Sequence, residues 1–247
     1  MKSGIFSTFL SVALSVFILT GCSKDDETPD TTTTTTNEFS YDDSFGVFVA
    51  VKSISTQTVG GITIPVEVNT ATAAFMESAG SSTLVDGGAV SINNKSLKKV
   101  QNNAYIYDDL LNPLDLSTIT WTAAGNSNVP AINKTVNRGF PSFSGADALP
   151  ASISKASGFS ISLANKVSNA DSVIIVVASN NKSAYKIVAG NAASVNFSSS
   201  DLSGVEASAT GLVSVSPYNI STETISSKKY YFINESVYTK ATVNITQ

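Results

Sequence analysis

Beyond Ser44 the apolar residues of this chain recur at a period of two wherever a period can be read, and that pattern admits strands while leaving no room for a helical core. Segments 45–54 (FGVFVAVKSI), 62–68 (ITIPVEV), 89–93, 104–108, 116–123 (LSTITWTA), 159–164 (FSISLA), 172–178 (SVIIVVA), 184–188, 212–216 (LVSVS), 229–233 (KYYFI) and 237–245 are short and rich in β-branched and aromatic residues. Turn chemistry separates them, as at Gly60-Gly61, Asp86-Gly87-Gly88, Asn112-Pro113, Asn180-Asn181 and Ser216-Pro217. Each segment is predicted to be a strand. Residues 172–178 are apolar on both faces, which marks a central strand. Two stretches invite a helical reading: 198–203 is short enough for a single turn, and in 70–78 (TATAAFMES) the alternation of Ala71, Ala73 and Phe75 keeps a strand open.

Many short strands with turn signals roughly every ten residues, and no βαβ alternation, predict an all-β fold of antiparallel sandwiches. About two hundred residues exceed one sandwich and suit two of about a hundred each. The period breaks over 140–150 (FPSFSGADALP), which places a boundary near Gly145: a first β-sandwich domain over 44–145 and a second over 146–247. The second resembles an immunoglobulin-like domain in strand count, length and spacing, without that family's disulfide or tryptophan. The resemblance is architectural and implies no function.

Composition removes whole classes of chemistry. With no histidine there is no Ser-His-Asp or Cys-His nucleophile system, no imidazole base and no His-containing zinc site. A single cysteine allows no intrachain disulfide. Charged residues make up 14%, well under the usual quarter, so the surface is expected to be rich in hydroxyls and weakly charged.

The one cysteine has a distinctive place. Residues 1–21 begin with Lys2, continue through an apolar and small-residue run over 5–19, and end in Leu19-Thr20-Gly21 before Cys22. The run is short of the ~20 residues that span hydrocarbon and is diluted by Ser11 and Ser15. This resembles the signal peptide and lipobox of bacterial lipoproteins, and the resemblance implies cleavage before Cys22 and acylation of its sulfur, making the membrane a partner through a lipid anchor. Ser23, Lys24, Asp25, Asp26 and Glu27 follow. They resemble the lysine-plus-acidic export signal of surface lipoproteins in one Gram-negative phylum, which implies an outer-membrane protein facing the cell exterior. Residues 22–43 hold a six-threonine run (31–36), Pro29 and seven acidic residues, too polar to bury the surface that would offset their ordering entropy. They are expected to form a disordered tether with an r.m.s. span of roughly 25 Å.

The tether also accounts for the acidity. With its seven acidic residues set aside, together with Lys2 and Lys24, twelve acidic and thirteen basic residues remain. A nearly neutral folded region has no surplus to neutralise phosphates, so nucleic acid is not an expected partner.

Candidate ligand contacts are few. Trp121 is the sole tryptophan and shares its face with Ile119 and Ala123, a pattern that favours the core over a sugar-stacking platform. Tyr105 and Tyr107 share a face opposite Ile106, and either that face or Ile106 turns inward. Outward, the pair would offer a carbohydrate strip beside Asp108 and Asp109; inward, it is ordinary aromatic packing, the favoured reading. Tyr230 and Tyr231 fall on opposite faces, so at most one is expected at the surface. No carboxylate pair sits in a recognisable glycosidase arrangement, the Ser-x-x-Lys at 179–182 lies at an apparent hairpin tip, and no Asp-x-Asp-x-Asp-Gly calcium loop is present. No catalytic residue, metal site or cofactor is therefore expected. The leading expectation is a non-catalytic surface lipoprotein that contacts a glycan or another surface protein. An accessory subunit of an outer-membrane complex is the alternative, and a carboxylate-based glycoside hydrolase the remote one.

Overall fold

The computed structural model describes residues 41–59, 62–180 and 182–247. Cys22, the export-signal residues 23–27 and the tether as far as residue 40 lie outside them. Among the described residues the regular structure is all β apart from 3-10 turns at Gln101–Asn103 and Ala146–Ala148. The strands are β1 (Ser44–Val59), β2 (Ile62–Met76), β3 (Leu84–Val85), β4 (Val90–Ile92), β5 (Lys95–Ser96), β6 (Lys98–Lys99), β7 (Tyr105–Tyr107), β8 (Ile119–Ala123), β9 (Ile132–Val136), β10 (Ser142–Phe143), β11 (Ser152–Ser154), β12 (Phe159–Ser162), β13 (Val167–Ser168), β14 (Ser172–Ser179), β15 (Lys182–Ala189), β16 (Ser194–Phe197), β17 (Ser208–Ile225) and β18 (Lys228–Thr246).

Ten of them form one large sheet in the order β15-β14-β17-β18-β1-β2-β7-β6, with β11 on β18 and β3 on β2. Smaller layers lie apart from it: the four-stranded β5-β4-β8-β9 and the ribbons β10-β13 and β12-β16. The sheet is mixed, because β1 and β11 both run parallel to β18. A parallel pair needs a long crossover, and here nearly the whole chain supplies it between β1 and β18.

Strands run longer than the local pattern announces. The strands expected at 229–233 and 237–245 are one 19-residue strand, β18, and 70–76 continues β2 instead of turning helical. Pro217 was expected to close a turn, yet it lies within β17 opposite Val173. The pairings with β18 step from Val215/Tyr238 to Tyr218/Glu235, so the missing N–H interrupts a ladder that both flanks maintain. The central place expected for 172–178 holds, with β14 lying between β15 and β17.

Alternation along the long strands divides the sheet into two faces. The front carries two separate cores. In the first, Phe48 of β1, Phe75 of β2 and Tyr230 and Phe232 of β18 meet Ile92, Ile119, Trp121 and Ile132 from the four-stranded layer. Phe48 is its hub: its ring centroid lies 4.9 Å from Phe232, stacked at 12°, 5.2 Å from Trp121 and 5.4 Å from Phe75. In the second, Val173, Ile175 and Val177 of β14, Val213 and Val215 of β17, and Val243 and Ile245 of β18 face Phe143, Ile161, Leu163, Val195 and Phe197.

The first core is built mostly from residues before 145 and the second mostly from residues after it, but Phe143 lies in the second and the large sheet runs through both. Strands β1, β2, β3, β6 and β7 come from 44–145, β11, β14, β15, β17 and β18 from 146–247, and Tyr230 and Phe232 of the second half complete the core of the first. Between the cores the front face is polar and holds down the connecting chain. The Asn234 side-chain amide donates to the Arg138 carbonyl (2.7 Å), the Ser236 hydroxyl to the Pro141 carbonyl (2.7 Å), and the Asn219 amide to the carbonyls of Gly139 and Asn169 (2.8 Å each). The break in periodicity at 140–150 thus marks the crossing of this waist.

Candidate functional site

The three aromatic residues singled out in the sequence are core residues. Trp121 is 0% exposed, Tyr105 2% and Tyr107 6%, all in the first core. The tyrosine pair is the inward face of β7, and Ile106 takes the outer one. Tyr105 packs edge-on to Phe75 at 5.8 Å, leaving only its hydroxyl near the rim. That hydroxyl donates to Asp86 Oδ1 (2.5 Å) and accepts from the Gly87 N–H (3.0 Å). Burial first, and then the Asp86 carboxylate, push the Tyr105 phenol up to about 12. The Tyr107 hydroxyl donates to the Asn112 carbonyl. Both side chains pin loops to a core and offer no ring face to a ligand. Tyr230 and Tyr231 do occupy opposite faces, but both are buried, because neither face of β18 is open to water there.

Two clefts elsewhere have chemistry for a ligand. The first, of about 470 Å³, opens between the β12-β16 ribbon and edge strand β15. Phe159 of β12 stacks on Phe197 of β16, with centroids 5.1 Å apart and planes 7° off parallel. Phe197 is buried and Phe159 half-buried. The Lys186 ammonium lies 5.5 Å from the Phe197 ring centroid and 2.7 Å from Asp201 Oδ2. Asp201 also accepts from the Ser198 N–H (2.7 Å) and hydroxyl (2.8 Å). Partial burial works to raise its pKa, but Lys186 and Ser198 hold the carboxyl below the usual carboxylate range. Ser160 and Asn196, hydrogen-bonded to each other on the outer faces of the two ribbon strands, complete the polar lining. An apolar platform, a fixed ion pair and a fringe of hydroxyl and amide groups suit a polyhydroxylated ligand, whose ring faces stack and whose hydroxyls need both donors and acceptors. Sequence reading missed this cleft because β16 was not recognised. Its signal was the two-residue period of Val195 and Phe197.

The second cleft, also about 470 Å³, lies at the waist beside Lys52, Thr118, Arg138 and Phe140. Lys52 sits 4.6 Å from the Phe140 ring centroid. Arg138 is already committed: its guanidinium forks onto Asp171 at 2.7 and 2.8 Å and reaches Asn169 at 3.2 Å. This cleft reads as a seam between the two cores.

The carboxylates are arranged differently from a hydrolase pair. Among the described residues lining the clefts, Asp201 is the one carboxylate of the first, and the second has none. Asp43, Asp86, Asp171 and Asp201 are each held below the ordinary range and each pairs with a lysine or arginine. Glu235 alone among the described carboxylates is raised. Burial pushes it up to about 8, with the Ser216 hydroxyl pulling the other way, and it sits on the back of the large sheet between Val51 and Tyr218, outside both clefts. No group of three His, Cys, Asp or Glu among the described residues is placed to hold a metal ion.

Comparison of the chain with protein-family models, with curated proteins and with solved structures returned no match.

Proposed function

We propose that this chain is a non-catalytic, lipid-anchored binding protein displayed on the outer face of the outer membrane, and that its ligand is a glycan held in the Phe159–Phe197 cleft. Two β-sandwich lobes, immunoglobulin-like in the second, are joined along one sheet and carried by an acylated Cys22. The lipobox supports the anchor and residues 23–27 support the display. The observation that carries the binding assignment is the half-buried Phe159 platform flanked by the Lys186–Asp201 ion pair and the Asn196 and Ser198 polar groups. That Asp201, the carboxylate of the first cleft, is lowered and ion-paired, and that the one raised carboxylate among the described residues lies away from both clefts, favours binding over hydrolysis.

Two measurements test the halves of this reading separately. Cells fed labelled palmitate should label the parent and not Cys22→Ser; label retained by that variant removes the anchor. On a glycan array the soluble Cys22→Ser protein should capture a defined glycan set, and Phe159→Ala should lose it at least tenfold while still unfolding in a single cooperative transition. Binding that survives Phe159→Ala moves the site elsewhere, and an array with no captured glycan removes the ligand class.

A further inference from the structure

Two charges stand among the described residues lining the Phe159–Phe197 cleft, Lys186 and Asp201, and they cancel. Lys186 alternates along β15 with Ala184 and Val188, which pack against the second core, so its stem is carried over the front of the large sheet. Asp201 is fixed in the turn after β16: it accepts from the Ser198 N–H and hydroxyl, and its own N–H donates back to Ser198 Oγ at 3.2 Å. The ammonium and the carboxylate meet at 2.7 Å with side chains 19% and 30% exposed, so a ligand can reach both.

What the pair leaves unused is specific. Lys186, the Ser198 N–H and the Ser198 hydroxyl all converge on Asp201 Oδ2, leaving Oδ1 without a partner among the described residues. An ammonium carries three donors, and Lys186 directs one at Asp201 while lying 5.5 Å from the Phe197 ring centroid. Asn196 is half engaged: its amide oxygen accepts from the Ser160 hydroxyl, and its N–H donors have no partner among the described residues. Phe197 covers one face of the Phe159 ring, so the part of Phe159 that remains exposed is the opposite face and the edge.

The cleft thus offers an anionic acceptor beside a cationic donor, without net charge. A hydroxyl both donates and accepts, so neighbouring hydroxyls on a sugar ring can serve Asp201 Oδ1 and the Lys186 ammonium together, each through a charge-assisted bond. A ligand carboxylate or sulfate has acceptors only. Brought to Lys186, it meets the Asp201 carboxylate beside the same ammonium, and repulsion offsets attraction.

We propose that this cleft selects uncharged glycans, with neighbouring ring hydroxyls bridging Asp201 Oδ1 and the Lys186 ammonium while a sugar ring stacks on Phe159, and that it rejects uronate-bearing and sulfated glycans. This selectivity rests on the cleft being a glycan site, as proposed above. The Phe159 centroid lies 5.1 Å and the Lys186 ammonium 5.5 Å from the Phe197 centroid, so the platform and the ion pair fall within the span of a disaccharide.

The test places the soluble Cys22→Ser protein on an array that sets uncharged glycans beside their uronate and sulfated counterparts. Uncharged members should be captured, and the acidic counterparts should bind at least tenfold more weakly. Acidic members bound as well or better leave the glycan site standing and overturn the selectivity; an array with no capture overturns both. Affinity for a captured uncharged glycan should change less than twofold between about 50 and 500 mM NaCl, because no net charges are brought together. A larger loss makes the contact ionic and overturns the selectivity. Asp201→Asn keeps one side-chain oxygen for Ser198 but exchanges the free acceptor for N–H donors and leaves Lys186 unpaired. That variant should lose uncharged glycans at least tenfold and gain the acidic counterparts, a reversal that damage to the fold would not produce. Undiminished capture of uncharged glycans, or no gain of acidic ones in a variant that still unfolds cooperatively, overturns the role of the pair. The array and salt results stand even where Asp201→Asn fails to fold.

Discussion

The two front cores share one sheet and are built on opposite plans. The first converges on a single ring, Phe48, with Phe75, Trp121 and Phe232 all within 5.4 Å of its centroid. The second gathers the branched aliphatics Val173, Ile175, Val177, Val213, Val215, Val243 and Ile245 of the large sheet against Phe143, Ile161, Leu163, Val195 and Phe197. A hub concentrates packing energy in one side chain, whereas a field of branched aliphatics distributes it. The expected consequence is unequal fragility. Phe48→Ala strips three rings of a partner at a position that is fully buried, so its cost should fall near the upper end of about 3–5 kcal/mol. Ile175→Ala, equally buried in the second core, should cost about 2–4 kcal/mol, because neighbouring valines can relax toward the cavity. Urea unfolding of the two variants against the parent measures the difference. Equal losses would mean that the hub is only a geometric description.

A second contrast sets the front face against the back. Among the described residues the front cores bury no carboxyl; the back buries one. Glu235, with its pKa raised from 4.5 to about 8, is neutral in the fold at pH 7 and ionised in the unfolded chain. The unfolded state therefore binds fewer protons, and stability falls as pH rises from about 4.5 until the folded carboxyl itself ionises near 8. Glu235→Gln removes that slope. At pH 4 the two proteins should be equally stable, and at pH 7 the glutamine variant should gain about 3 kcal/mol. Melting temperatures across pH 4 to 9 check this; parallel curves would show that the back face carries a compensating charge.

The contrast in composition also explains what could be read from the sequence. The all-β class and the central place of 172–178 are legible because alternation and turn residues are local signals. The burial of Trp121 follows from its companions on the same face, Ile119 and Ala123. What escaped was long-range. Nothing near Tyr230 or Phe232 says that they complete a core begun at Phe48, since that contact arises from the parallel pairing of β1 with β18. Short strands such as β10, β13 and β16 escaped because two to four residues carry too little period to stand out. The cleft at Phe159 and Phe197 went with them, its second ring lying on one of those strands.

The smallest expected effect bears on whether the two cores are one unit. They are joined through long β18, which no point substitution severs, and across the waist by the Arg138–Asp171 fork. That pair is about a third or more exposed on both sides, so solvent screening limits its coupling to at most about 1 kcal/mol despite the bidentate geometry. Partial burial acts to raise Asp171, yet the Arg138 guanidinium and the Ile220 N–H leave it below the ordinary 3.8. Its contribution is accordingly present above pH 3.8 and lost as pH falls through the lower folded value. A double-mutant cycle of Arg138→Gln with Asp171→Asn at pH 7 should return a coupling of about 0.5–1 kcal/mol, shrinking toward zero as pH falls through the lowered Asp171 value. Scanning calorimetry of the parent and of Arg138→Gln should each give a single transition, because β18 runs through both cores and can unfold neither alone. Two resolved transitions in the variant would show that the fork, rather than the shared strand, makes the lobes cooperative.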